Sequence, residues 1–305
     1  MQALTVEGLE KTYDNGFQAL KGVSFSVESG EFFALLGPNG AGKSTTLGIV
    51  CGLVRKSSGR VSVCGDDLDQ SPQAVRRHLG VVPQEFNFNS FEKVEQIVLN
   101  QAGYYGISRK EALPYCETLL KQLDLWEKRH TPARMLSGGM KRRLMIARAL
   151  IHKPRVLILD EPTAGVDIEI RRSMWEFLQK LNQQGLTIIL TTHYLEEAEA
   201  MCKRVAIISE GKIITNTSTK ALLKQADKAY FVVDVTGTTE SLPALSPFSI
   251  EVLDEHSFLV EVNKSISLNE LFAVLNEKGI NVASIRPEAN RLESMFIDLV
   301  AESKQ

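Results

Sequence analysis

Gly37-Pro38-Asn39-Gly40-Ala41-Gly42-Lys43-Ser44-Thr45 follows directly on the apolar run Phe32-Phe33-Ala34-Leu35-Leu36 and has the form GxxxxGK[ST]. The apolar run reads as a buried strand, and residues 43 to 53 have helical spacing, so the loop joins a strand to a helix. In such a loop the glycines let successive backbone N–H groups converge on phosphate oxygens, and the helix adds the positive end of its dipole. A polyphosphate is the expected ligand. Lys43 would reach its β- and γ-phosphates, and the Ser44 hydroxyl would complete the shell of a Mg²⁺ ion.

Further runs point to the same sheet edge. Val156-Leu157-Ile158-Leu159 is continuously apolar, as a strand buried on both faces of a parallel sheet should be, and it ends in Asp160-Glu161. Asp160 suits a Mg²⁺ shell and Glu161 suits a general base for an attacking water; a turn cap after the strand is the plainer alternative. Thr187-Ile188-Ile189-Leu190-Thr191-Thr192 reads as a neighbouring strand with His193 at its exit, either a structural histidine or a donor to a γ-phosphate. Gln84 emerges from the strand pattern 79–83, and Tyr13 precedes the turn Asp14-Asn15-Gly16, where its ring either packs on the sheet or stacks on a base. Ser137-Gly138-Gly139 opens an amphipathic helix, as an anion site or as an N-cap before a solvated basic face at Lys141, Arg142 and Arg143. Asp167 precedes a helix over 168–181 as a candidate N-cap, and the acidic run Glu196, Glu197 and Glu199 reads as a solvated face.

With 305 residues the chain is long enough for a large domain and a smaller one. The expected division is an α/β domain over 1–226, with antiparallel strands before the phosphate loop and a helical insertion near 88–153, followed by a small α+β domain over 227–305. Two helices, over 91–105 and 109–126, carry the insertion, with Pro114 tolerated near the first turn of the second. Alternating strands, a helix over 268–278 and a last helix over 291–299 fill the smaller domain, which shows no phosphate loop or metal spacing. A net charge of -2 provides no global attraction to nucleic acid, and the four cysteines are widely spaced, as free thiols are. No apolar run approaches the roughly 18 residues that would span a bilayer, and the N-terminus lacks the build of a signal peptide.

Taken together these stretches resemble the ATP-binding subunits of ABC transporters, with the family's motifs in order over residues 1 to about 225. Residues 37–45 match the Walker A loop, Gln84 the Q-loop, Leu136-Ser137-Gly138-Gly139 the signature, 156–160 the Walker B strand and Glu161 the catalytic glutamate. Ala164-Gly165-Val166-Asp167 is similar to the D-loop, His193 to the switch histidine and Tyr13 to the aromatic that stacks on adenine. The resemblance implies an ABC-type P-loop fold that binds ATP with Mg²⁺ held by Ser44, Asp160 and Gln84, and a dimer, of this chain or with a homologue. Across that dimer ATP would lie between the Walker A loop of one chain and Ser137 to Gly139 of the other. It further implies a polytopic permease and a peripheral position on the cytoplasmic side of the membrane, with no nucleic-acid partner. Met140 stands where many members have Gln; with Tyr105-Gly106 and Leu292-Glu293-Ser294-Met295-Phe296-Ile297-Asp298-Leu299 it is similar to the ABC-2 branch, mostly exporters. An importer ATPase with a C-terminal regulatory domain is the main alternative; a soluble ABC ATPase lacks support in the absence of paired ATPase domains or long coiled coils.

Overall fold

A computed structural model describes residues 1–163, 166–192, 195–225, 228–239, 242–243, 245–263 and 267–287. The chain divides into two compact units, Met1–Thr219 and Lys220–Gln305.

The first unit opens with β1 (Gln2–Thr12) and β2 (Gln18–Glu28), an antiparallel pair with apolar residues on one face, followed by β3 (Phe32–Leu36), buried at every position. Next come α1 (Lys43–Val50), β4 (Ser58–Val63), β5 (Asp66–Asp67), α2 (Pro72–His78) and β6 (Leu79–Val82). The sequence pattern misses β5 and α2, which are short and largely polar; Val75 alone in α2 is buried. The insertion supplies α3 (Val94–Tyr104), α4 (Arg109–Gln122) and α5 (Gly138–Leu150), and the chain returns through β7 (Val156–Asp160), α6 (Ile168–Gln183), β8 (Thr187–Thr192), α7 (Leu195–Met201), β9 (Arg204–Ser209) and β10 (Lys212–Ser218).

Six strands form the central sheet in the order β10-β9-β3-β8-β7-β6, parallel except for β10 against β9. The register sets Leu36 beside Thr192 and Thr191 beside Asp160, so three strands leave the sheet at one level. Continuous apolar strands can occupy the middle of such a sheet because helices or a second sheet cover both faces. Here the second sheet, β2-β1-β4-β5, covers part of one face: Leu4, Val6, Phe25 and Val27 share a core with Phe33, Leu35, Ile158 and Ile189, and the Phe25 and Phe33 rings stack 5.6 Å apart.

The inserted helices are shorter than their apolar spacing suggests. Lys93 is the N-cap of α3, because Phe91 is drawn into a turn in which its N–H donates to Asn89 Oδ1 at 3.1 Å. The helix α4 stops before Asp124, which takes a left-handed φ of 54°, and Trp126–Lys128 forms a separate 3₁₀ turn. Pro114 sits beyond the first turn of α4 rather than in it, and the helix continues through an exposed position where water can serve the freed carbonyl.

The helix α8 (Thr219–Gln225) begins at the division between the units. In the second unit β11 (Lys228–Val235), β12 (Ser249–Asp254), β13 (Ser257–Asn263) and β14 (Val282–Pro287) pair antiparallel in the order β12-β13-β11-β14. The helix α9 (Leu268–Glu277) carries a capping box of Ser267 and Glu270, and its Leu271 and Leu275 share a core with Phe231, Val233, Phe258 and Val260. The expected helix over 291–299 lies outside the described residues.

Gly80 sits where β6 meets α5, and a Cβ there would run into the Ala149 carbonyl oxygen and, at 2.9 Å, into Pro154. Gly80→Ala is expected to lose about 1–3 kcal/mol through overpacking, read as a lower urea midpoint with the slope of the transition unchanged.

Candidate functional site

The phosphate loop is a backbone device. Gly40 and Gly42 take left-handed φ values of 80° and 112°, which side-chain-bearing residues avoid and which turn successive N–H groups inward as an anion-binding concavity. A Cβ on Gly42 would also lie 2.7 Å from Leu20. Pro38 is half-buried; Asn39, Gly40 and Ser44 stand exposed at the rim, and Ala41 is buried beneath them. Gly42 is also the N-cap residue of α1, so the loop meets the N–H groups of that helix, and its carbonyl accepts from the Thr46 hydroxyl at 2.8 Å.

Lys43 is buried, its ammonium donating to the carbonyls of Gly37 at 2.7 Å and Pro38 at 3.1 Å. Burial pushes it below the usual lysine value, and the charges of Glu161 and Asp160 pull it back up. The register through β8 sets the exits of β3 and β7 at one level, which is why the charges of Glu161 and Asp160 reach Lys43.

Asp160 accepts a hydrogen bond from the Thr191 hydroxyl on the adjacent strand, a partner hidden in the sequence within a strand-end pair of threonines. Glu161 takes a left-handed φ of 47° immediately after β7, while its N–H donates to the Thr191 carbonyl at 3.0 Å. A non-glycine residue in that region costs roughly 1–3 kcal/mol, and such costs collect at functional sites. The Gln84 side-chain amide donates to Glu161 Oε2 at 3.1 Å, closing a loop-to-strand contact across 77 positions.

Tyr13 is half exposed and reaches the same rim, with its hydroxyl 3.4 Å from that of Thr45 and the Lys11 ammonium 4.8 Å from its ring centre. Its ring is therefore partly exposed beside the phosphate loop rather than sealed within the sheet. Ser137 caps α5, accepting from the Met140 N–H at 3.3 Å, and it is exposed with Gly138. Gly139 is buried, and a Cβ there would lie 2.8 Å from Ile170. Asp167 occupies the N-cap position of α6, yet its side chain makes no capping hydrogen bond, which leaves an exposed carboxylate. His193, Ala164 and Gly165 lie outside the described residues.

Two readings of charge need correction. The segment Lys141 to Arg143 is not a solvated face. Arg142 is 4% exposed and donates to the carbonyls of Pro83 at 2.8 Å and Gln84 at 2.9 Å. Burial lowers its affinity for its proton, while Asp160 and Glu161 raise it. Arg143 is likewise engaged, with Asp124 at 3.0 Å and Ser173 at 2.8 Å. The acidic run on α7 is also not wholly solvated, because Glu197 is fully buried and accepts from the Thr163 hydroxyl. Helical periodicity marks which residues share a face but not whether a long cation folds back under a loop.

Residues 20–164 match the family model described as ABC transporter. The chain is 40% identical over 243 residues, 79% of either chain, to Nod factor export ATP-binding protein I of Burkholderia thailandensis. It is 33% identical to the linearmycin resistance ATP-binding protein LnrL of Bacillus subtilis, over 98% of this chain and 99% of the relative. Among solved structures, cbiO1 from Clostridium perfringens, part of the ABC transporter complex cbiONQ, superposes with a TM-score of 0.67 at 32% identity, covering 73% of this chain and 91% of that one.

If the carboxylates hold the proton on Lys43, neutralising one should release it at lower pH. In Asp160→Asn the pKa of Lys43, followed by NMR of the side-chain ammonium, is expected to fall below that of the unmodified protein; an unchanged or higher value contradicts the electrostatic coupling.

Proposed function

Because this chain belongs to the ABC transporter family as an ATP-binding subunit, we propose that it powers an ABC-2 type exporter, closing on ATP as a dimer and driving a separate permease. Its enzymatic activity is ATP hydrolysis coupled to transport. The observation that carries the site assignment is the contact of Gln84 with Glu161 beside the buried Lys43.

In this reading the phosphate-loop N–H groups and Lys43 bind the β- and γ-phosphates, so positive charge already lies where negative charge gathers on the transferred group. Glu161 orients the attacking water and takes its proton, and Gln84 fixes the carboxylate from one side. His193 is assigned as a second donor toward the γ-phosphate, Tyr13 as the platform for the base, and Asp167 as a carboxylate of the dimer interface. Ser137, Gly138 and Gly139 meet the nucleotide of the opposing chain. The exposed Ser137 and Gly138 support that role, while the burial of Gly139 against Ile170 gives its glycine a packing reason as well.

The Ser44 hydroxyl, the Asp160 carboxylate and the Gln84 amide form an all-oxygen donor set of the kind Mg²⁺ takes when phosphates and waters complete the shell. Bound there, the ion would neutralise charge on the phosphates.

No helix among the described residues is long and apolar enough to cross a membrane, so transport needs a membrane partner. A peripheral position on the cytoplasmic face follows from that pairing. A cavity of about 550 Å³ lies beside the Gln84 loop, lined by Pro83, Phe88, Gln101, Tyr104 and Tyr105 among others, and is the surface we assign to the permease. Tyr104 is 85% exposed there, while Tyr105 stacks on His152 at 3.7 Å and supports the wall. The names of the relatives, Nod factor export and linearmycin resistance, favour an exporter over an importer.

Glu161→Gln should keep its ATP affinity and lose about 10²–10⁴-fold in turnover, whereas Lys43→Ala should weaken ATP binding itself; normal turnover in the first or normal affinity in the second contradicts the assignment. Affinity purification of the tagged chain from detergent-solubilised membranes should bring down a stoichiometric polytopic protein. Recovery of ribosomes or nucleic acid in its place would overturn the transport reading.

A further inference from the structure

The loop that carries Gln84 is held by the helix that carries the Ser-Gly-Gly turn. Arg142 lies in the second turn of α5, and its fork spans two successive carbonyls, Pro83 O at 2.8 Å and Gln84 O at 2.9 Å. Phe86 covers the guanidinium at 5.1 Å. Six residues along the same helix Arg148 donates to the Asn87 carbonyl at 3.1 Å and also to the Asn87 side chain. The two arginines bind the segment at both ends, leaving little freedom for it to move apart from α5.

An arginine is an expensive way to attach a loop. Arg142 is nearly fully buried and its Nε has no hydrogen-bond partner, whereas an apolar side chain would fill the space without the desolvation cost. What the guanidinium adds is direction, because its rigid planar fork holds two acceptors in a fixed relative geometry, whereas an ammonium on a flexible stem offers rotatable donors that impose none. The acceptors it fixes are the carbonyls on either side of the Gln84 Cα–N bond, and the Gln84 side chain in turn touches Glu161. At the other end of the connection Ser137 caps the same helix, one turn before Arg142.

We infer that Arg142 is a positioning residue that makes the contact of Gln84 with Glu161 depend on where the Ser137 to Gly139 turn sits. A nucleotide engaged by that turn then sets the geometry at the hydrolytic carboxylate through a rigid helix and two hydrogen bonds. This rests on the proposed roles of Gln84 and Glu161 and adds the residue that joins them to the signature turn.

The test is steady-state ATP hydrolysis by the purified chain and by Arg142→Gln, Gln84→Ala and the double variant. Arg142→Gln should lose roughly ten- to hundredfold in kcat, the scale of a small misplacement at a reacting centre, with the KM for ATP within about twofold. The double variant should be no slower than Gln84→Ala alone, a non-additivity that a general loss of packing would not produce. Arg142→Lys, which keeps the charge but lacks the planar fork, should lie between Arg142→Gln and the parent, and it replaces Arg142→Gln in the cycle if that variant does not fold. Normal kcat in Arg142→Gln, or a double variant slowed by the product of the single effects, overturns the inference while Gln84 and Glu161 keep their roles. Normal kcat in Gln84→Ala overturns the role of Gln84 itself, and the inference with it.

Discussion

The Lys43 ammonium is packed against the carbonyls of Gly37 and Pro38 in a setting that disfavours its charge, and the carboxylates of Glu161 and Asp160 offset part of that cost. That balance constrains the sheet. The carboxylates leave β7 at the level at which β3 gives way to the phosphate loop, and the parallel arrangement with β8 between them holds that register. The apolar strands are therefore buried on both faces so that polar ends can meet at one edge. Thr191 completes the arrangement from the strand between, donating to Asp160 through its side chain and accepting from Glu161 through its carbonyl.

Much of this was legible because the residues that bear the chemistry are local in sequence. A phosphate loop needs glycines at fixed offsets, and Gly40 and Gly42 do adopt the left-handed backbone that only glycine takes easily. The run 156–159 reads as a strand buried on both faces and is one, which sets its two terminal acids at the sheet edge. The alternation in residues 2–28 likewise reports one covered face, and β1 and β2 pair accordingly, whereas β3, expected among the same antiparallel strands, is buried at every position and pairs parallel with β8 and β9. By contrast α2 and β5 bury too little apolar surface to leave a period, and the ends of α3 and α4 are set by turns at Asn89 and Asp124 that compete with helical spacing.

The contacts that join these motifs were not legible. Arg142 and Glu197 lie in charged stretches that read as solvated, yet each is buried by a partner far away in the chain, the Gln84 loop for one and Thr163 for the other. A charge run carries no mark of what folds over it. Asp167 shows the opposite failure: it holds the N-cap position but does not cap, so its residue type there is free to serve another surface.

In the proposed dimer one chain carries half of each ATP site and a second chain completes it. Light scattering of Glu161→Gln, with and without ATP and Mg²⁺, tests this most directly. The account predicts a monomer mass without nucleotide and a stable dimer with it, abolished by Ser137→Arg. A monomer under both conditions, with ATP shown to be bound, would contradict it.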